Sequence, residues 1–201
     1  MIKAIIFDWG GVLIDKTDNA LMEYCSNVLQ VDEKKLSTAF APYKKDFQRG
    51  LITENDLWAK LCNELDLKLP TQNSLWKQAV KSIFNEKPEV YQLAARLKEN
   101  GYKIGFLSNT EVPTMQHFYE MGYEKYFDVI TVSCDEHEAK PDREIYQIIV
   151  DKLQVAADEA ILIDDLPEFI QGAQVVGMQG ILFENPQQLV SELNELGIKT
   201  K

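Results

Sequence analysis

Five short apolar runs set the rhythm of this chain, at residues 3–7, 103–107, 128–132, 160–163 and 180–183, with helix-length segments between the later ones. Each run is four or five residues dominated by Ile, Val, Leu or Phe and lacks strict polar–apolar alternation. That pattern belongs to strands buried on both faces, as in a parallel sheet covered by helices. Segment 88–100 opens on Pro88 and is followed by Gly101, the punctuation of a helix. Segments 141–153 and 167–176 likewise open at Pro141 and Pro167. The pattern predicts a doubly wound, Rossmann-like α/β sheet of five parallel strands with right-handed crossovers.

One stretch breaks the rhythm. From about residue 16 to 84 no convincing strand occurs, and the spacing predicts four helices at 18–29, 32–47, 53–65 and 71–84. Asp32 before Leu36, and Thr53 followed by Asp56, are plausible helix starts. Residues 48–52 and 66–70 are the expected breaks. The expected organisation is therefore an α/β core of 1–15 and 86–201, with a four-helix cap of 16–85 over the carboxyl edge of the sheet.

With 201 residues, 45% of them hydrophobic, the chain can bury one sizeable core. Its formal net charge of −11 repels phosphate backbones and anionic lipid, so nucleic acid and membrane surfaces are poor partners. A small anionic substrate is still admissible, because a local lysine and a metal can invert the sign within one pocket. The three cysteines, Cys25, Cys62 and Cys134, show no CxxC spacing. They argue against a disulfide framework or zinc site and for a reducing compartment. The N-terminus runs directly into a strand without a basic leader, and no apolar run approaches the roughly 18 residues of a membrane span. The expectation is a soluble cytoplasmic protein, a monomer or weak dimer.

Four short sequences fall at predicted strand ends, where open α/β sheets place their ligands. They are Asp8-Trp9-Gly10-Gly11 after the first strand, Ser108-Asn109-Thr110 after the second, Lys140-Pro141-Asp142 after the third, and Asp164-Asp165 after the fourth. Singly, each reads equally well as a turn or a helix cap. Together they would gather three carboxylates, a hydroxyl and an ammonium in one crevice. Crowded carboxylates repel unless a cation sits among them, and oxygen ligands without His or Cys select a hard ion such as Mg²⁺. Asp8 would then attack phosphorus to form an aspartyl-phosphate that water cleaves. Backbone N–H groups of Trp9-Gly10-Gly11 would cradle the phosphate oxygens.

This ordered set resembles the haloacid dehalogenase-like hydrolases with a helical cap, over essentially the whole chain. The resemblance implies Asp8 as nucleophile, Ser108 as phosphate-binding hydroxyl with Asn109 beside it as a further substrate contact, and Lys140 as the lysine pairing with phosphate and nucleophile. It implies a metal site of Asp8, the Gly10 carbonyl, Asp165 directly and Asp164 through water. The implied activity is Mg²⁺-dependent hydrolysis of a small phosphorylated metabolite.

The chain departs from that pattern at Gly10, where phosphatases of the family carry a second Asp acting as general acid and base. A group of this kind is typically worth about 10²–10⁴ in rate. Three accounts compete. The leaving group is easily expelled, as from a sugar 1-phosphate; a subgroup resembling the α-glucose 1-phosphate phosphatases shares Asp-x-Gly-x-Val and the Arg49-Gly50 pair. Alternatively, a cap residue such as Arg49, Asp46 or Glu54 supplies the proton. In the third account the protein is a weak catalyst kept for binding or regulation. A 2-haloacid dehalogenase is disfavoured by the paired Asp164-Asp165, and a phosphomutase by Gly10 itself. Phe169 stands where many relatives have Asn. Arg49 and Trp9 are expected at the substrate entrance. His117 is expected at the surface or partly packed; for His137, three residues before Lys140, a place at the pocket rim is the lesser reading. Trp58, Trp76, Phe40, Tyr43 and Phe47, at helical spacing, are expected to be core.

Overall fold

Both faces of the sheet are covered, and successive residues of its three central strands feed opposite cores. The computed structural model describes residues 1–201, the side chain of Asp18 excepted. Strands β1 (Ala4–Phe7), β2 (Lys103–Ser108), β3 (Val129–Val132), β4 (Ala160–Asp164) and β5 (Gln179–Leu182) lie in the order β3-β2-β1-β4-β5, with every pairing parallel. Ile5, Phe7, Ile104, Phe106, Ile161 and Ile163 enter one cluster, while Ala4, Ile6, Leu107, Ala160 and Leu162 enter the other. Helices α6 (Pro88–Glu99), α7 (Val112–Glu120) and α11 (Pro186–Glu195) cover the first face; α9 (Arg143–Leu153) and α10 (Pro167–Val175) cover the second. Full burial of an Ile or Phe side chain is worth about 1.5–3 kcal/mol, so the unbroken apolar runs are what two-sided burial demands. The five-stranded parallel sheet expected from sequence is the one observed.

Strand β1 is central. The chain winds from β1 outward through β2 to β3, then returns to the other side of β1 for β4 and β5. That reversal opens a crevice at the carboxyl ends of β1 and β4.

Between β1 and α6 lie α1 (Asp18–Leu29), α2 (Glu33–Phe40), α3 (Lys44–Gln48), α4 (Glu54–Glu64) and α5 (Leu75–Ile83), packed around Leu36, Phe47, Leu57, Trp58, Leu61 and Trp76. The insertion thus has five helices rather than four. The single helix expected over 32–47 breaks at Pro42, which lacks the N–H a continuing helix needs and clashes with the preceding turn. Helix α4 starts where Thr53 and Asp56 form a reciprocal capping box. Asp32 caps α2 through Lys35 N, and Ser74 caps α5 through Lys77 N, later than the expected start at 71. Glu54 accepts from Trp58 Nε1 at 2.9 Å, Ser74 Oγ at 2.6 Å and Trp76 N at 2.8 Å, so it braces the insertion from within.

The two strands of chain joining insertion and core are bonded to each other. Asp15 N donates to Asn85 O at 3.0 Å and Lys87 N to Leu13 O at 2.8 Å, and Ile14 and Glu86 form an antiparallel bridge. Lys87 Nζ ties this ribbon down, donating to Gly11 O at 3.0 Å and Ile14 O at 2.7 Å. A second join forms where Trp76 Nε1 of α5 donates to Glu111 Oε2 and Thr114 Oγ1 beside α7.

All three cysteines are free and buried. Burial pushes the Cys25 and Cys134 thiols up to about 12, which makes them packing residues rather than nucleophiles. No helix among the described residues is long and apolar enough to cross a membrane.

Candidate active site

Register alone brings most of the site together. Phe7 pairs with Phe106 on one side and with Ile163 on the other, so the next residues, Asp8, Leu107-Ser108 and Asp164, emerge side by side. Asp8 N donates to Ile163 O at 2.9 Å, extending β1 by one bond and holding the carboxylate over the crevice. Lys140 arrives from beyond β3, past the short helix α8 (Ser133–Glu136). Its ammonium lies 2.8 Å from Asp8 Oδ1 and 2.5 Å from Asp164 Oδ2.

Asn109 holds this lysine from behind. Its Nδ2 donates to Lys140 O and its Oδ1 accepts from Lys140 N, both at 2.8 Å. The amide expected to touch substrate is therefore spent, at both ends, on positioning the lysine backbone. The ring of Phe169 faces the Lys140 ammonium at 4.8 Å from its centroid, and Tyr146 Oη donates to Phe169 O at 2.9 Å. At this position the chain offers the ammonium an aromatic face, a favourable site for a cation.

The charges are expensive here. Asp8 is 7% exposed, Asp164 0% and Lys140 3%. The Asp8 carboxyl is raised to about 7, chiefly by burial and further by Asp164, against the pull of Lys140. Asp164 is likewise raised, chiefly by burial, against the pull of Lys140. Burial acts against the charge on Lys140, yet the two carboxylates outweigh it and its pKa stands above the ordinary lysine value. Asp8, Asp164 and Asp165 each offer an oxygen within 4.8 Å of the others. Three carboxylates without nitrogen or sulfur donors suit a hard divalent cation, and two ammonium groups are already drawn in, Lys140 and Lys16. The donor set fits Mg²⁺.

Gly11 makes room for Asp165. A Cβ at Gly11 would stand 2.4 Å from Asp165 Cγ, and its φ of +87° is one that L side chains rarely adopt. Gly11→Ala is expected to destabilise the protein by about 1–3 kcal/mol and to weaken divalent-ion binding by displacing Asp165. Thermal denaturation with and without Mg²⁺ measures both; an alanine variant as stable and as Mg²⁺-responsive as the unaltered chain would refute this reading. Gly10 is the opposite case, since a Cβ there meets nothing within 4 Å.

Several expected contacts lie elsewhere. Trp9 is 2% exposed, its ring packed against Phe84, Phe106 and Phe118 and its Nε1 donating to Tyr91 Oη at 3.2 Å. It is a core residue and does not line an entrance, because strand-like alternation turns it away from the face Asp8 uses. Gly11 N donates to Ile14 O at 2.8 Å, so that N–H is not available to cradle phosphate. Ser108 closes β2 at 4% exposure beside Asp8. Both oxygens of Asp164 are engaged, Oδ2 by Lys140 and Oδ1 by Leu166 N at 3.0 Å.

Arg49 does reach the core, but through ion pairs. Its Nη2 bonds Asp142 Oδ2, and Nη1 lies 3.6 Å from Glu138 Oε2. Asp142 is the N-cap residue of α9, and its carboxylate turns to Arg49 instead of capping the helix. Around this pair, Ser133 Oγ donates to Gln48 O at 2.6 Å and His137 Nδ1 bonds Arg49 O at 2.7 Å. Gly50 lies so close to Cys134 O that a Cβ would approach to 2.4 Å. Loop 48–50 is clasped to the segment leading to Lys140. His117 is buried at 6%, edge-on to Phe84, and burial lowers its pKa. Sequence reasoning missed Lys16, whose Nζ lies 2.6 Å from Asp165 Oδ2, since nothing in the spacing links positions so far apart.

The model of the haloacid dehalogenase-like hydrolases matches residues 2–177. The chain belongs to the haloacid dehalogenase-like hydrolase family. A sesquiterpene phosphatase of Aspergillus oryzae is 30% identical to this hydrolase over 196 residues, 96% of each chain. A phosphorylated carbohydrates phosphatase of Thermotoga maritima is 24% identical, covering 90% of this hydrolase and 84% of the relative. Among solved structures, a family enzyme from Bacteroides thetaiotaomicron, in complex with magnesium and inorganic phosphate, superposes with a TM-score of 0.79 at 22% identity, over 94% of this chain and 99% of that one. That likeness establishes the fold of the hydrolase.

Proposed function

We propose that this hydrolase is a Mg²⁺-dependent phosphatase acting on a small phosphorylated metabolite, a sugar phosphate in the first instance, through an aspartyl-phosphate on Asp8. The observation that carries the reading is the Lys140 ammonium between Asp8 and Asp164, at 2.8 and 2.5 Å, at the carboxyl edge of a parallel sheet. The phosphatase names of the relatives from A. oryzae and T. maritima support the same reaction class.

In this reading Asp8, Asp165, the Gly10 carbonyl and, through water, Asp164 would hold Mg²⁺, which would lower the charge repulsion between carboxylate and phosphate. Lys140 and the Ser108 hydroxyl hold two phosphate oxygens, and an Asp8 oxygen lies in line behind phosphorus. The Asp8 O–P bond forms as the P–O bond to the leaving group breaks; the departing oxygen takes up a proton from solvent. Water then attacks phosphorus of the acyl phosphate, the Asp8 O–P bond breaks, and phosphate and the free carboxylate are regenerated. With Gly10 supplying no acid, this route favours leaving groups that depart readily, such as the anomeric oxygen of a sugar 1-phosphate. Residues 16–85 act as a cap that excludes bulk water, leaving in the crevice only the water that proton uptake and hydrolysis consume. Loop 48–50, including Arg49, lies at its rim, and the protein works in the cytoplasm as a monomer or weak dimer.

The test is a panel of sugar, nucleotide, prenyl and acyl phosphates assayed with Mg²⁺ and with EDTA. Turnover is expected with Mg²⁺, greatest for sugar 1-phosphates, and absent with EDTA. No turnover on any member, with phosphate analogues still binding, would instead identify a weak catalyst kept for binding or regulation. Halide release from a 2-haloacid without metal would identify a dehalogenase.

A further inference from the structure

The charges at the crevice do not balance within the sheet. Ionised, Asp8, Asp164 and Asp165 bring three negative charges and Lys140 returns one. The second positive charge comes from the linker: Lys16 reaches Asp165 Oδ2 at 2.6 Å, with its own side chain 69% exposed and that of Asp165 8% exposed. Asp165 has little freedom to turn away, because its carboxyl lies against Gly11, where a Cβ would approach it to 2.4 Å. Lys16 directly follows Asp15, whose N–H is bonded to Asn85 O in the linker ribbon.

We propose that Lys16 is a tethered competitor for the divalent cation, occupying Asp165 in the metal-free protein and leaving it when the ion enters. The inference rests on the reading of Asp8, Asp164 and Asp165 as the metal site. A dication and an ammonium cannot share one carboxylate oxygen without strong repulsion, so uptake of the ion breaks the Lys16–Asp165 pair. The ribbon fixes the backbone at Asp15, so the movement falls to the flexible four-carbon stem of Lys16. The competitor lowers metal affinity, and does so modestly because the Lys16 end of the pair is largely in water. While the ion is absent, it holds Asp165 in place.

Calorimetric titration of the full chain with Mg²⁺, and with Mn²⁺ as a second probe, tests this. Lys16→Met is expected to bind Mg²⁺ about two- to tenfold more tightly than the unaltered protein, and Lys16→Arg to stay within about twofold of it. Asp165→Asn is expected to bind much more weakly. If Lys16→Met binds with equal or lower affinity while Asp165→Asn still loses binding, the competition is overturned and the metal site stands. If neither ion binds to the unaltered protein or to any variant, with circular dichroism showing them folded, the metal-site reading fails and the competition falls with it.

Discussion

Gly10→Asp should raise kcat/KM on ordinary alkyl phosphates by about 10²–10⁴, the usual worth of a positioned general acid, and leave sugar 1-phosphates within a few-fold. The structure has space for the new carboxyl, since a Cβ at Gly10 meets no atom within 4 Å. An acid there protonates an alkoxide that otherwise departs unaided. A sugar 1-phosphate gains little, because its anomeric oxygen needs less help. Paired kcat/KM values on one alkyl and one anomeric phosphate decide the matter. Equal acceleration of both would show that leaving-group chemistry does not account for the glycine, and no acceleration of either would point to a proton source elsewhere.

Asp8→Asn should reduce turnover by at least about 10³-fold and at the same time stabilise the metal-free protein at alkaline pH. The first effect is loss of the nucleophile. The second follows from burial, which raises the Asp8 carboxyl from an ordinary 3.8 to about 7. A carboxyl whose pKa is higher folded than unfolded binds its proton more tightly in the native state. Its contribution to stability is therefore whole below about pH 3.8, declines as pH rises, and is lost above about pH 7. Asn carries no such charge, so the gap in melting temperature between the two proteins in EDTA should be small at pH 4 and widest at pH 8. Mg²⁺ should close it by stabilising the unaltered chain. A gap that narrows with rising pH would mean that the Lys140 attraction outweighs desolvation at Asp8. Under the proposed mechanism both effects have one source, a carboxylate placed where burial opposes its charge.

The sheet was legible because its signal is local. Runs such as Ala4–Phe7 and Ala160–Asp164 are apolar on both faces, and only two-sided burial explains that. The grouping of Asp8, Ser108, Lys140 and Asp164-Asp165 followed from topology, since parallel strands deliver their ends to one edge. What could not be read depends on side-chain direction or on distant pairing. Trp9 adjoins Asp8 in sequence yet turns into the core beside Phe118. Arg49 meets Asp142, and Lys16 meets Asp165, across separations that no periodicity encodes. The break at Pro42 was legible by its lack of an N–H, but the apolar spacing of Phe40, Tyr43 and Phe47 continues across it. A hydrophobic stripe can run on where the helix does not.

The linker ribbon limits how the five-helix insertion can travel. Two independent tethers would allow tumbling in several directions, each joint bending by itself. Here Asp15 is bonded to Asn85, Ile14 is bridged to Glu86, and Lys87 is anchored on Gly11 and Ile14. The two crossings behave as a single stiff shaft whose base is the turn carrying Gly10 and Gly11. With Trp76 and loop 48–50 pinned to the core as well, a strain applied to the insertion is carried along that shaft to the Gly10-Gly11 turn beside Asp8.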